Sequence, residues 1–163
     1  MFNALRTSLR RYAEKDGRGY PDWALRYVPM VDNLKQWKPS PKFTVELGAN
    51  ENGLARFRDG HIIAVDIDET RIRAARATQG VAPVVADAAA LPFRSGSVPV
   101  LVSMDMIEHL PPDVRPRVGK EIDRVLADDG IAAVGVPYGQ HAANAEREIA
   151  DACEKYTGRR LSW

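Results

Sequence analysis

Short runs of Val, Ile, Leu and Ala recur along the chain from Phe43 onward, and longer stretches with helical spacing separate them. The runs show little alternation of polar and apolar residues, which is typical of strands covered by helices on both faces. Strands that alternate with helices in this way indicate a parallel sheet built from strand–helix–strand units. The pattern predicts five strands, at residues 43–47, 62–65, 82–86, 98–103 and 131–136.

Apolar residues three or four positions apart predict helices over 69–78 and 113–126. Asp128, Asp129 and Gly130 are expected to end the second of these helices. A last helix is predicted over 141–156, after a turn at Pro137. Together, the elements from residue 43 to 163 predict one globular α/β domain with a doubly wound, mostly parallel sheet of about five strands.

Residues 1–42 have a different pattern, with two predicted helices over 4–15 and 22–37 and glycine and proline between them. We predict that this region forms a helical lid or brace on the α/β domain. The first helix also resembles a targeting or membrane-surface helix, because arginines separate its apolar residues. Glu14 and Asp16 argue against a transit peptide, and a folded helix is the favoured interpretation.

Composition narrows the class of protein. Lys and Arg total 23 against 22 Asp and Glu, a formal charge of +1, so no nucleic-acid partner is expected. No apolar run approaches the roughly 20 residues that a membrane span needs. The single cysteine, Cys153, cannot form an intramolecular disulfide and fits no metal-ligand spacing. We therefore predict a cytoplasmic protein without a metal site.

The turn that follows the first predicted strand is the most informative segment, because doubly wound folds bind ligands at such junctions. Gly53 is followed by Leu54, so the lysine of a Walker phosphate loop is missing. Only Gly48 and Gly53 are present, which falls short of the three glycines of a dinucleotide fingerprint. Glu46 would repel a pyrophosphate, so the turn favours a ligand with a positively charged end.

Acidic residues also end the next two predicted strands. Asp66 lies about 20 residues beyond the turn, where a carboxylate can accept hydrogen bonds from both ribose hydroxyls. Asp68 is expected to be the N-cap of the following helix. Asp87 ends the third strand and could accept a hydrogen bond from an amino group, although an aspartate at such a place is usually a turn residue.

Four stretches, at residues 46–52, 62–68, 84–93 and 97–110, resemble in their order the motifs of class I S-adenosylmethionine-dependent methyltransferases of the methyltransferase type 11 group. The resemblance implies a Rossmann-like fold and S-adenosylmethionine as cofactor. It implies cofactor contacts at nine residues: Glu46, Gly48, Ala49, Asn50, Asp66, Ile67, Asp87, Ala88 and Met104.

By that resemblance, Glu46 would face the methionine ammonium of the cofactor and Asp66 its ribose, while Asp87 and the backbone N–H of Ala88 would contact adenine. Asn50 replaces a glycine of the family motif, as does the asparagine two residues later. Asparagine tolerates a positive φ better than other non-glycine residues, so we expect the turn to survive.

For the chemistry, His109 is the candidate general base, because its imidazole follows the fourth strand beside the predicted site. The alternative is that Glu108 and His109 cap or orient the segment before Pro111. The acceptor is expected to be a small molecule. Aromatic residues of the N-terminal region, Trp23 among them, could line its pocket, although such residues more often pack in a core.

The family sheet usually has seven strands, but no strand pattern follows Val136. We therefore expect its C-terminal strands to be absent, which leaves the fifth strand as an edge. A homodimer through that edge or through the C-terminal helix follows as a prediction. Two other functions remain open: a non-catalytic relative that acts as a binding or interaction module, and a nicotinamide-dependent oxidoreductase, which would need a hydride-site pair that the sequence does not offer.

Overall fold

A computed structural model describes residues 21–50, 53–75, 78–137 and Gly139. In these residues a five-stranded, fully parallel sheet has the strand order β3-β2-β1-β4-β5. The strands are β1 (Thr44–Leu47), β2 (Ile62–Asp66), β3 (Val81–Val85), β4 (Val98–Met104) and β5 (Leu126–Gly135). The helices are α1 (Pro21–Trp37), α2 (Glu69–Ala75) and α3 (Arg115–Val125), with 3₁₀ turns at Leu54–Arg56 and Ile107–His109.

Helices cover both faces of the sheet, as the sequence predicted for a doubly wound fold. Successive residues of a strand point to opposite faces, so each strand contributes to two cores. On one face, Ile62, Val100 and Val102 pack with α1. On the other, Val45 and Leu101 belong to the core that includes the buried residues of α3. The fold is therefore a Rossmann-like α/β sandwich with β1 at the centre of the sheet.

Helix α1 begins one residue before its predicted start, at Pro21, where the missing proline N–H would have no helical partner in any case. Tyr27, Val31 and Leu34 form its buried stripe against the sheet. Just beyond its end, Lys38 forms an ion pair with Asp129. The predicted helix over 4–15 lies outside the described residues, and a domain boundary at residue 42 stays a prediction.

The start of β5 corrects the predicted boundary. The sequence placed the end of a helix at residue 126 and a strand start at residue 131, but α3 ends at Val125 and β5 begins at Leu126. The register jumps between Val98 and Val100, so β5 has extra residues that bulge beside Pro99. A β-carbon on Gly130 would lie 2.8 Å from the Ala127 carbonyl oxygen, so this bulge requires glycine.

The edges of the sheet differ in how they are protected. Pro83 interrupts the hydrogen-bonding capacity of edge strand β3, a place where proline is tolerated. The other edge is β5, where Val134 is 48% exposed. Pairing of this edge with a second chain stays a prediction, and the predicted helix over 141–156 lies outside the described residues. Among the described helices, none is long and apolar enough to cross a membrane.

Candidate functional site

The carboxyl ends of β1, β2, β3 and β4 open on a cleft of about 600 Å³, a volume within the usual range for small-molecule sites. Its lining combines strand-end residues with the α1 residues Trp23 and Arg26 and with the turn near His109. Of the predicted site residues, eight line this cleft: Gly48, Asn50, Asp66, Ile67, Asp87, Ala88, Met104 and His109. The sequence therefore located the cleft, although not all of its predicted residues reach it.

Asp66 is the last residue of β2 and is 9% exposed. Its Oδ1 accepts a hydrogen bond of 2.8 Å from the backbone N–H of Asp68, which fixes the carboxylate at the cleft wall. Asp68 in turn is the predicted N-cap, because its Oδ1 accepts from the backbone N–H of Thr70 at 2.8 Å. This hydrogen bond lowers the pKa of Asp68 below its ordinary value. One turn therefore both orients Asp66 and begins α2.

Asp87 has the same kind of local support beyond β3. Its Oδ1 accepts from the backbone N–H of Ala89 at 2.8 Å, and its carbonyl accepts from Ala90. Unlike Asp66, Asp87 is exposed. Both carboxylates are thus held by backbone groups of their own turns, a geometry that does not depend on a bound ligand.

An exposed apolar surface lies between these two acids. Ile67 is 71% exposed, although it is a large apolar residue, and it lines the cleft together with Ala86 and Ala88. Met104, at the end of β4, adds to the apolar lining. Exposed apolar groups in a concave site with a few fixed polar groups are typical of small-molecule binding.

The turn after β1 is made by Gly48, whose φ is +73°. A β-carbon there would lie 2.6 Å from Cγ of Met106, so only glycine lets Met106 pack against this turn. Among the described residues, Asp105 is the one non-glycine with a positive φ, so Asn50 does not adopt the left-handed conformation that its place in the motif suggested. Gly48 already reverses the chain direction, and the second asparagine of the motif lies outside the described residues.

Ala49 lies behind the cleft wall rather than on it. It is 1% exposed and packs with Ala64, Ile72 and Ala75 beneath α2. Its backbone N–H and that of Gly48 both donate to the carbonyl oxygen of Val65, which fastens the end of β1 to β2. Ala49 therefore helps to hold the end of β1 against β2.

Glu46 also lies behind the wall, so its carboxylate does not face the space in which a methionine ammonium was expected. It is 2% exposed and does not line the cleft. Its Oε1 accepts hydrogen bonds of 2.8 Å from both the Tyr27 hydroxyl and the backbone N–H of Leu54. Burial raises the pKa of Glu46 to about 7. Glu46 does not reach the cleft because of the strand register, in which it pairs with Ala64, two residues before Asp66.

An ion pair that sequence reasoning missed lies at the α1 side of the cleft. Arg26 donates from Nη1 to Oδ2 of Asp105 at 2.6 Å, and both residues line the cleft. Asp105 follows β4 directly and has a φ of +51°. Its position just after a strand is the same signal that identified Asp66, and Arg26 lies one helical turn after Trp23.

His109 lines the mouth of the cleft with a side chain that is 69% exposed. Its Nε2 lies 3.9 Å from Oε1 of Glu108, too far for a hydrogen bond. Both carboxylate oxygens of Glu108 are shielded from solvent and have no hydrogen-bond partner. The imidazole is thus accessible to a molecule in the cleft. In residues 21–50, 53–75 and 78–137, no three His, Cys, Asp or Glu side chains are grouped closely enough to hold a metal ion.

Comparisons with solved structures agree with this architecture. The PH0226 protein of Pyrococcus horikoshii OT3 is similar with a TM-score of 0.68 and 20% identity, over 88% of this chain and 67% of that one. A Methanococcus maripaludis protein, mmp1179, assigned as an S-adenosyl-L-methionine-dependent methyltransferase, gives a TM-score of 0.60 and 16% identity, over 86% of this chain and 71% of that one.

A third similar chain comes from a Haloferax volcanii complex between the Trm112 methyltransferase activator and a protein assigned as a methyltransferase. Its TM-score is 0.60 at 20% identity, over 94% of this chain and 69% of that one. At such identities the likeness establishes the fold alone. Among curated proteins, none matches this sequence.

A family model described as "Methyltransferase domain" matches residues 45–134, more than half of the chain. The matched segment begins in β1 and ends in β5, so it includes every strand of the sheet and the strand-end residues of the cleft. The chain therefore belongs to the class I S-adenosylmethionine-dependent methyltransferase family.

Proposed function

We propose that this chain binds S-adenosylmethionine in the cleft and transfers its methyl group to a small-molecule acceptor. The observation that supports this most directly is the pair of carboxylates at the ends of β2 and β3. Asp66 and Asp87 are each oriented by their own turn, and exposed Ile67 lies on the same cleft. A nucleoside needs hydrogen-bond acceptors for its hydroxyl and amino groups and an apolar surface for its ring.

The residues present fit an adenosyl group. In the proposed arrangement, Asp66 accepts hydrogen bonds from the ribose hydroxyls, Asp87 accepts from the exocyclic amino group of adenine, and the Ala88 N–H donates to the ring. Ile67 and Met104 exclude water from the ring faces. The sequence of the turn after β1 has no Lys or Arg, which suits a ligand with a positive rather than a phosphate end at that turn. The two arginines that line the cleft, Arg26 and Arg71, lie on α1 and α2 instead.

When bound, S-adenosylmethionine supplies an activated methyl group that leaves its sulfur by in-line displacement as the new bond to the acceptor forms. We assign the acceptor to the end of the cleft formed by Trp23, Arg26 and the turn at His109. There, Trp23 supplies an aromatic surface, and the Arg26–Asp105 pair supplies a fixed donor and acceptor. His109 Nε2 would accept the proton that a hydroxyl or amine acceptor loses.

A second candidate function is a binding or interaction module that keeps the fold without methyl transfer. One observation favours it: Glu46, the acidic residue of the family's first motif, is engaged internally and does not reach the cleft. A module of this kind would keep the sheet and lack productive cofactor binding.

Calorimetric titration of the full chain with S-adenosylmethionine, S-adenosylhomocysteine and NAD tests these proposals together. We expect micromolar binding of the first two ligands and none of NAD. Binding of no ligand would contradict the methyltransferase proposal and support the interaction module. Binding of NAD alone would support an oxidoreductase instead.

A further inference from the structure

Glu46 is the most deeply buried acidic group among the described residues, and it has partners from two different parts of the molecule. One is the hydroxyl of Tyr27 in α1, and the other is the backbone N–H of Leu54, which follows the turn after β1. Both donate at 2.8 Å to the same oxygen, Oε1. A single acceptor atom thus joins a helix and a turn that are far apart in sequence.

On the turn side, the contact extends to the cleft. A β-carbon on Gly53 would lie 2.7 Å from Oε2 of Glu46, so the backbone at Gly53 packs directly against the carboxylate. The N–H of Gly53 donates to the carbonyl of Asn50 at 3.1 Å, and Asn50 lines the cleft. A shift of the Glu46 carboxylate would therefore move the turn that forms part of the cleft wall.

On the helix side, Tyr27 is fixed by rings as well as by its hydroxyl. Its ring stacks on Trp23 at 5.9 Å and on Phe57 at 5.1 Å between centroids. Arg26, the neighbour of Tyr27, pairs with Asp105, and Trp23 lies one turn earlier on the same helix. Tyr27 therefore connects Glu46 to the part of α1 that contributes Trp23 and Arg26 to the cleft lining.

We propose that Tyr27 is a positioning residue that, through Glu46, couples the α1 wall of the acceptor end to the turn beside the cofactor end. Hydrogen bonds that share one acceptor in a low-dielectric interior influence each other, so loss of one donor changes the other bond. The inference rests on the proposed function for the identity of the two ends. Its consequence is that binding at either end of the cleft favours binding at the other, because such coupling is reciprocal.

The test uses Tyr27→Phe, which removes the hydroxyl and keeps the stacked ring. Trp37 and Trp163 are first replaced by Phe, so that Trp23 is the single tryptophan and its emission reports on α1. In this background, S-adenosylhomocysteine should change the Trp23 emission. Tyr27→Phe should abolish that change and weaken binding by about fivefold or more, the usual size of such coupling.

Lys38→Met is the matched control, because it removes a different attachment at the end of α1, the ion pair with Asp129, and neither residue lines the cleft. It should keep both the affinity and the Trp23 response. An unchanged Trp23 response in Tyr27→Phe, or its equal loss in Lys38→Met, would overturn the coupling.

A measurement without ligand separates this proposal from the proposed function. Tyr27→Phe should accelerate hydrogen exchange at the Leu54 N–H, whereas Lys38→Met should not. Unchanged Leu54 exchange in Tyr27→Phe would overturn the coupling even if the cofactor binds. Failure of the parent protein to bind S-adenosylhomocysteine would overturn the proposed function, and Leu54 exchange would then decide the coupling by itself.

Discussion

Glu46 and Asp66 are acidic residues at the ends of adjacent parallel strands, and their surroundings are opposite. Glu46 pairs in register with Ala64, so Asp66 lies two residues further toward the carboxyl edge of the sheet. Two residues of strand correspond to about 6.5 Å. That distance leaves Glu46 beneath α1 with Tyr27 as partner, whereas Asp66 reaches the cleft.

The difference shows that the position of an acidic residue along its strand decides whether its carboxylate is buried or reaches the cleft. Both side chains have the same alternation and point to the same face of the sheet. The buried Glu46 carboxylate has a raised pKa and internal hydrogen-bond partners. It therefore affects the stability of the fold and the position of the segments that it joins. The Asp66 carboxylate, held by the N–H of Asp68, lines the cleft.

Glu46→Gln should give the largest effect, on stability rather than binding. The pKa of Glu46 rises from 4.5 to about 7 on folding, so between these pH values the folded state holds a proton that the unfolded state releases. Stability therefore falls as pH rises through this window, by roughly 3 kcal/mol in all. Glutamine does not titrate and keeps an acceptor oxygen for Tyr27 and Leu54.

Urea unfolding at pH 5 and pH 8 measures this effect. The variant should resemble the parent at pH 5 and exceed its free energy of unfolding by roughly 2 to 3 kcal/mol at pH 8. Its affinity for S-adenosylhomocysteine should stay the same. Equal pH dependence in the two proteins would show that Glu46 is not the titrating group.

Asp66→Ala should affect binding rather than stability. Loss of two hydrogen bonds from ribose hydroxyls to a carboxylate should weaken S-adenosylhomocysteine binding by about 100-fold, or about 2.7 kcal/mol. Because the residue lies at the cleft, unfolding should stay cooperative. Calorimetry and urea unfolding of the same preparation check both parts, and retained affinity would mean that the ribose binds elsewhere.

Asp87→Ala should give the smallest effect, since this exposed carboxylate competes with water for its ligand. We expect about fivefold weaker binding of S-adenosylhomocysteine, or about 1 kcal/mol. The purine riboside analogue, in which hydrogen replaces the exocyclic amino group, should bind the parent and the variant equally well. A similar loss for both ligands would contradict an adenine contact at Asp87.

The sequence predicted the sheet well because strands buried on both faces have a distinct pattern, and strand ends are where such folds bind ligands. Asp66, Asp87 and Ile67 follow from that logic and do line the cleft. The boundary of β5 was misplaced, because a bulge beside Pro99 depends on backbone packing that no spacing reveals.

Two features of the site depend on tertiary structure in the same way. The burial of Glu46 follows from strand register, which a sequence pattern does not specify to the residue. The Arg26–Asp105 pair joins positions 79 residues apart and depends on how α1 packs across the sheet. The local sequence pattern thus predicted the elements and the cleft. The burial of Glu46 and the Arg26–Asp105 pair depend instead on contacts between distant segments.

The position of Trp23 and Arg26 on one helix has a consequence for laboratory evolution. The two residues lie a single turn apart, and neither belongs to the strand ends that hold Asp66 and Asp87. If the acceptor binds as proposed, a library that varies only these two codons would sample new acceptors while every proposed adenosyl contact stays wild type. The proposed function thus predicts that one helical turn is sufficient to change the choice of acceptor.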